Sequence, residues 1–82
     1  MELEEKLRTI IGTIMNVPVD TIDDQSGPET IVNWDSLRHM RLILAVEDSY
    51  SVTFSDSEIT SINDVKSLKE TLKPYIGKTY NE

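Results

Sequence analysis

Trp34-Asp35-Ser36-Leu37-Arg38-His39-Met40-Arg41-Leu42-Ile43-Leu44-Ala45-Val46-Glu47-Asp48-Ser49-Tyr50 is the stretch that decides how this chain folds. From Asp35 or Ser36 to Tyr50 it reads as one helix, with Asp35 as N-cap because its carboxylate can accept a first-turn N–H. Placing residues ~100° apart on a helical wheel separates two apolar stripes. Leu42, Ile43, Val46 and Tyr50, with His39, form one; Leu37, Met40 and Leu44, flanked by Arg41 and Asp48, form the other. Only one stripe can face the core of a small bundle. The other is left at the surface, and an exposed apolar stripe is the informative kind of exception.

Upstream, Leu3, Leu7, Ile10, Ile11 and Ile14 recur at three- and four-residue steps, with Glu4, Glu5, Lys6 and Arg8 on the opposite face. That spacing predicts an amphipathic helix over Glu2–Met15, its acids in the first turn where the dipole favours them. Asn16-Val17-Pro18 is expected to stop it, since the residue before a proline is pushed out of the α region. About twenty residues without helical period follow, a length that is uncommon in a compact domain and usually functional. Val17, Ile22, Ile31 and Trp34 are expected to pin this loop to the bundle. It holds five of the chain's 15 acids, Asp20, Asp23, Asp24, Glu29 and Asp35, and no base.

Downstream, Ser51-Val52-Thr53-Phe54 alternates like a strand but has no partner strand, and reads as a loop that buries Phe54. Ser55-Asp56-Ser57-Glu58 is a capping box opening a short turn through Ile59. Ser61-Ile62-Asn63-Asp64 is expected to open the last helix in similar fashion. Its apolar stripe is Ile62, Val65, Leu68 and Leu72, then Tyr75 or Ile76 after Pro74; Lys66, Lys69 and Lys73 read as a solvated face. The folded domain is expected to span 1–77, leaving 78–82 as a flexible tail. The fold class is therefore all-α, in the order helix, long loop, helix, short helix, helix.

Composition narrows the function. The chain has 82 residues, no Cys, one His and a net charge of −7. Disulfide and thiolate metal sites are excluded, His39 cannot build a zinc site alone, and the acids lack EF-hand spacing. A sequence pI near 4.5 argues against a nucleic-acid partner, because phosphates would be repelled. No apolar run is long enough to span a bilayer, and the acidic start does not resemble a signal peptide, so a cytoplasmic domain is expected. At this length roughly 60% of the unfolded chain's surface can be buried, which leaves a thin stability margin.

Catalytic readings are weak. Asp35-Ser36 with His39 looks like a nucleophilic set, but residues three apart on a helix are offset by ~60°, and no Gly-rich elbow accompanies them. His39 reads instead as a partly buried helix histidine, and Trp34 as a loop anchor. Ser36 differs. It is a small hydroxyl at a helix start, where free N–H groups and the dipole suit a covalently attached phosphate diester. On the residues alone, an ordinary first-turn serine is the favoured reading.

A resemblance reverses that preference. Trp34-Asp35-Ser36-Leu37 followed by Leu42-Ile43-Leu44-Ala45-Val46-Glu47-Asp48-Ser49-Tyr50 closely resembles the acyl carrier protein family, whose Asp-Ser-Leu motif opens the second of four helices. The likeness extends to the first-helix stripe, the long loop, Phe54-Ser55-Asp56-Ser57-Glu58 and Ser61-Ile62-Asn63-Asp64-Val65. It implies a four-helix bundle of the acyl-carrier type, with a long loop between helices 1 and 2 and a short helix 3. It implies that Ser36 receives 4′-phosphopantetheine from coenzyme A, and that Asp35 assists recognition by the phosphopantetheinyl transferase. The prosthetic thiol would then hold an acyl or aminoacyl cargo as a thioester. Leu37, Arg38, Met40, Arg41 and Leu44 would form the partner-docking face. Expected partners are the transferase, an acyl- or aminoacyl-loading ligase or transferase, and downstream acyl-processing enzymes, with the carrier itself a non-catalytic monomer. In many family members the bundle opens to shelter an acyl chain.

Two departures qualify the resemblance. Where the family often has glycine, this chain has Asn33, which can also adopt left-handed backbone geometry. Fatty-acid carriers usually show an acidic face on this helix, whereas Arg38 and Arg41 bracket Met40 here. That points to a specialised carrier for polyketide, modified-lipid, polysaccharide or aminoacyl chemistry, unless both arginines merely pair with acids of the loop. An unmodified helical interaction module is the alternative.

Overall fold

Among the described residues, four helices and one 3₁₀ turn build the fold: α1 Leu3–Met15, the turn Val19–Thr21, α2 Ser36–Tyr50, α3 Asp56–Ser61 and α4 Val65–Tyr80. The computed structural model describes residues 3–80, with side chains over 5–76. Among the described residues there is no strand, and no helix is long and apolar enough to cross a membrane.

Leu7 and Ile11 face the core as the periodicity predicts, and Met15 joins them with no exposed surface. Ile10 and Ile14 pack against the same core, half-buried. The side chains of Leu3 and Glu4 lie outside the described residues. The helix stop differs from expectation. Asn16 takes a left-handed φ of 58°, and the Val17 N–H donates back to the Gly12 carbonyl at 3.1 Å. That is a Schellman closure, which satisfies a terminal carbonyl once one residue turns left-handed. Pro18 acts later, preceding the 3₁₀ turn in extended geometry.

The long loop is tied down at both ends. Ile22, Ile31 and Trp34 are buried, as expected. Its polar ties were not expected. Ser26 is buried, its carbonyl accepts the Val65 N–H at 2.9 Å, and its hydroxyl accepts the Asp23 N–H at 2.9 Å. A Cβ at Gly27 would lie 3.0 Å from the Cβ of Asp64, so a side chain there would press on Asp64 just ahead of α4 and force it to give. Asp24 pairs with Lys69 at 2.8 Å, so Lys69 is not simply a solvated lysine. Asn33 is not left-handed; among the described residues only Asn16 and Ser51 are non-glycine residues of positive φ. Its amide instead donates to the Met15 carbonyl at 2.9 Å, closing the end of α1 from the far side of the loop.

Phe54 is buried, and its N–H donates to Glu47 Oε2 at 2.8 Å. The Ser55–Glu58 capping box opens α3 as read from the sequence. α4 opens differently. The Ser61 hydroxyl donates back to the Glu58 carbonyl at 2.8 Å and belongs to the end of α3. Asp64 is the side chain that accepts the Ser67 N–H, at 2.8 Å, while the Ser67 hydroxyl accepts the Asp64 N–H at 3.0 Å. A serine three residues on thus completes the reciprocal pair that Glu58 completes at α3.

The N–H and O–H of Ser67 hold the Asp64 carboxyl below the ordinary carboxylate range. A depressed carboxyl adds stability above its unfolded pKa, and that stability is lost as pH falls through the folded pKa. Acidification should therefore lower the Tm of the wild type more than that of Asp64→Asn, whose amide still caps but does not titrate. Parallel Tm curves for the two proteins across the acid range would contradict this.

Val65, Leu68, Leu72 and Ile76 form the buried stripe of α4, which resolves the choice between Tyr75 and Ile76. Tyr75 packs edge-on against Phe54, with centroids 5.5 Å apart. Its hydroxyl donates to Glu58, which lowers the Glu58 pKa and raises that of Tyr75. The helical backbone passes Pro74 and continues to Tyr80. Gly77 costs a helix about 1 kcal/mol relative to alanine, which weakens a helix without breaking it. Asn81 and Glu82 lie outside the described residues.

Candidate functional site

The start of α2 brings together most of the residues singled out in the sequence. Asp35 is extended and its carboxylate accepts the Arg38 N–H at 2.8 Å, the N-cap bond expected of it. Ser36 is the first helical residue, exposed, and its hydroxyl has no hydrogen-bond partner among the described residues. The cap is thus made by Asp35, and the neighbouring hydroxyl is left available.

The two stripes of α2 divide as read. Leu42, Ile43 and Val46 have no exposed surface, whereas Leu37, Met40 and Leu44 are 63%, 45% and 60% exposed. Arg38 is half-buried and Arg41 exposed, beside that outer stripe. Among the described residues no carboxylate pairs with either arginine, so the alternative in which loop acids neutralise them does not hold.

The sequence presents Trp34 and His39 separately, as a loop anchor and as a partly buried helix residue. They are bonded to each other. The indole Nε1–H of buried Trp34 donates to His39 Nδ1 at 3.0 Å. Pro28, Trp34, Asp35, Ser36, His39 and Met40 line one open cleft at the head of the helix. A neutral imidazole whose Nδ1 accepts carries its proton on Nε2, which makes it a donor on that side and not a base. Local periodicity could not have paired Trp34 with His39, because only the latter lies on the helix.

No protein-family model matches the chain. An acyl carrier protein of Buchnera aphidicola subsp. Schizaphis graminum is 30% identical over 64 residues, covering 78% of this chain and 81% of that protein. The chain belongs to the acyl carrier protein family.

Other acyl carrier proteins align over more of its length. The polyketide-8 synthase acyl carrier protein 2 of Streptomyces avermitilis is 25% identical over 76 residues, 93% of this chain and 87% of the relative. The solution structure of holo acyl carrier protein from Geobacter metallireducens superposes with a TM-score of 0.82 at 22% identity, covering all of this chain and 94% of that one. The acyl-carrier fold expected from the sequence is therefore the observed one.

Proposed function

We propose that this protein is a discrete acyl or aminoacyl carrier, modified on Ser36 by 4′-phosphopantetheine, acting in the cytoplasm in a specialised lipid, polyketide or polysaccharide-related pathway. The observation that carries this reading is the exposed, unbonded Ser36 hydroxyl at a helix start whose cap is already provided by Asp35. The residues fit the group. A phosphodiester at Ser36 would sit beside first-turn N–H groups and against an open cleft that Pro28 and Met40 help to line. When bound, the arm supplies the thiol this cysteine-free chain lacks, on which cargo is held as a thioester.

The chain's own part is to present and to exclude, without catalysing. Asp35 fixes the first turn and offers a recognition feature to the phosphopantetheinyl transferase. Leu37, Met40 and Leu44 offer the apolar docking surface for that enzyme, for a loading ligase or transferase, and for downstream acyl-processing enzymes. Intact mass of the protein from its native cell tests the reading, since arm and load both appear as added mass. An unmodified interaction module would leave Ser36 bare there.

Arg38 and Arg41 bear on partner choice. Arg41 is exposed and Arg38 half-buried, and neither is paired with a carboxylate among the described residues. Surface charges of this kind contribute under about 1 kcal/mol each to folding, but they set encounter rates and penalise like-charged partners. Arg38→Glu with Arg41→Glu is therefore expected to leave Tm nearly unchanged. It should slow acylation by the protein's own loading enzyme and improve acceptance by enzymes adapted to acidic carriers. Acylation rates of both proteins with both enzymes, at low and high salt, check this; unchanged rates throughout would dispose of it.

A further inference from the structure

We propose that His39 binds the phosphate of the group esterified to Ser36, donating from Nε2 while Trp34 fixes its other nitrogen; the inference rests on the carrier reading of Ser36. The bond from Trp34 Nε1–H to His39 Nδ1, 3.0 Å long, fixes the tautomer. With Nδ1 committed as acceptor, the neutral ring must carry its proton on Nε2. Trp34 is only 4% exposed, so its indole is held in the core and cannot follow a moving imidazole. The ring planes lie 32° apart with centroids 6.2 Å apart, a tilted pair joined by its edge bond, without stacking.

Nε2 is left over. Among the described residues it has no hydrogen-bond partner, and it is not among the buried unsatisfied atoms, so it reaches solvent. His39 lies three residues beyond Ser36, and residues three apart on a helix are surface neighbours. The two line the same cleft. Arg38 and Arg41 are two and five residues from Ser36, spacings that turn a side chain away from it. Neither arginine lines that cleft. Asp35 does line it, but its carboxylate is an acceptor already engaged by the Arg38 N–H and offers a phosphate nothing. His39 is thus the helix side chain able to donate a hydrogen bond into the cleft. A hydrogen bond to an ionised acceptor is roughly twice as strong as a neutral one. Trp34 acts through His39 and is a positioning residue.

The consequence is an arm whose root is oriented over the cleft formed by Pro28, Trp34 and Met40. Two spectroscopic readouts test it. In the unmodified protein, long-range ¹H–¹⁵N spectra should show His39 protonated at Nε2 and accepting at Nδ1, and Trp34→Phe should give a mixture of tautomers. After loading from coenzyme A, the His39 Nε2–H resonance should shift. The ³¹P resonance of the phosphodiester should move in His39→Leu and return toward the wild-type position in His39→Gln, whose amide can donate. An identical ³¹P position in wild type and His39→Leu overturns the proposal, as does a wild-type His39 protonated at Nδ1. Those failures leave the carrier reading intact. A wild type that gains no arm mass at all overturns the carrier reading, and this inference with it.

Discussion

Ser36→Ala is expected to abolish attachment of the arm, whereas the wild type, incubated with coenzyme A and a broad-specificity phosphopantetheinyl transferase, gains one phosphopantetheinyl mass. The hydroxyl oxygen is the atom that would carry the phosphodiester, so its removal is all-or-none. The fold should not notice. Ser36 is exposed and is not the cap, and alanine is the better helix former by a few tenths of a kcal/mol or so. Far-UV circular dichroism of the variant should match the wild type.

Other serines offer poorer sites. Ser26 is buried, Ser55 is spent in the capping box, Ser61 bonds the Glu58 carbonyl, and Ser67 is locked into the α4 cap. Ser49 and Ser51 lie at the opposite end of α2. Ser57 is at the start of a six-residue helix, its hydroxyl 3.4 Å from that of Ser55. Arm mass persisting in Ser36→Ala would falsify the assignment.

Features that repeat within a few residues were legible. The two stripes of α2, the Asp35 cap and the Ser55–Glu58 box each depend on residues three or four apart, and such spacing is what a helix converts into a shared face or a shared hydrogen bond. The loop anchors Ile22, Ile31 and Trp34 were legible for a coarser reason: large apolar groups in an otherwise acidic loop have little alternative to the core. What stayed hidden bridges distant residues or rests on backbone geometry. Nothing in the periodicity ties the Ser26 carbonyl to the Val65 N–H, the Asn33 amide to the Met15 carbonyl, or the Trp34 indole to His39. Ser61 and Asp64 illustrate a different failure. Both are good caps, three residues apart, and the winner was decided by Ser67, whose hydroxyl returns the bond to Asp64. At the candidate site the order was the same: the Asp35 cap and the exposed apolar flank could be read, and the Trp34–His39 bond could not.

Leu42→Ala and Met40→Ala are expected to part widely, though they stand two residues apart on one helix. Leu42 has no exposed surface and belongs to the central cluster, so truncation removes buried methyl groups and leaves a cavity. Such losses cost about 2–5 kcal/mol. A domain this small has little to spare, since total stabilities run from roughly 5 to 15 kcal/mol. At roughly 4–8 °C per kcal/mol for a chain of this size, the Tm should fall by about 8 °C or more. Met40 is 45% exposed, and its truncation should cost under about 1 kcal/mol. Its effect should appear in transfer instead: slower loading with a Tm loss well below that of Leu42→Ala, as expected of a surface that a partner covers. Thermal melts of both variants, with acylation rates beside them, separate the two roles. Equal Tm losses would mean that α2 is rotated from the orientation described, and the outer stripe would then lose its claim to be a docking face.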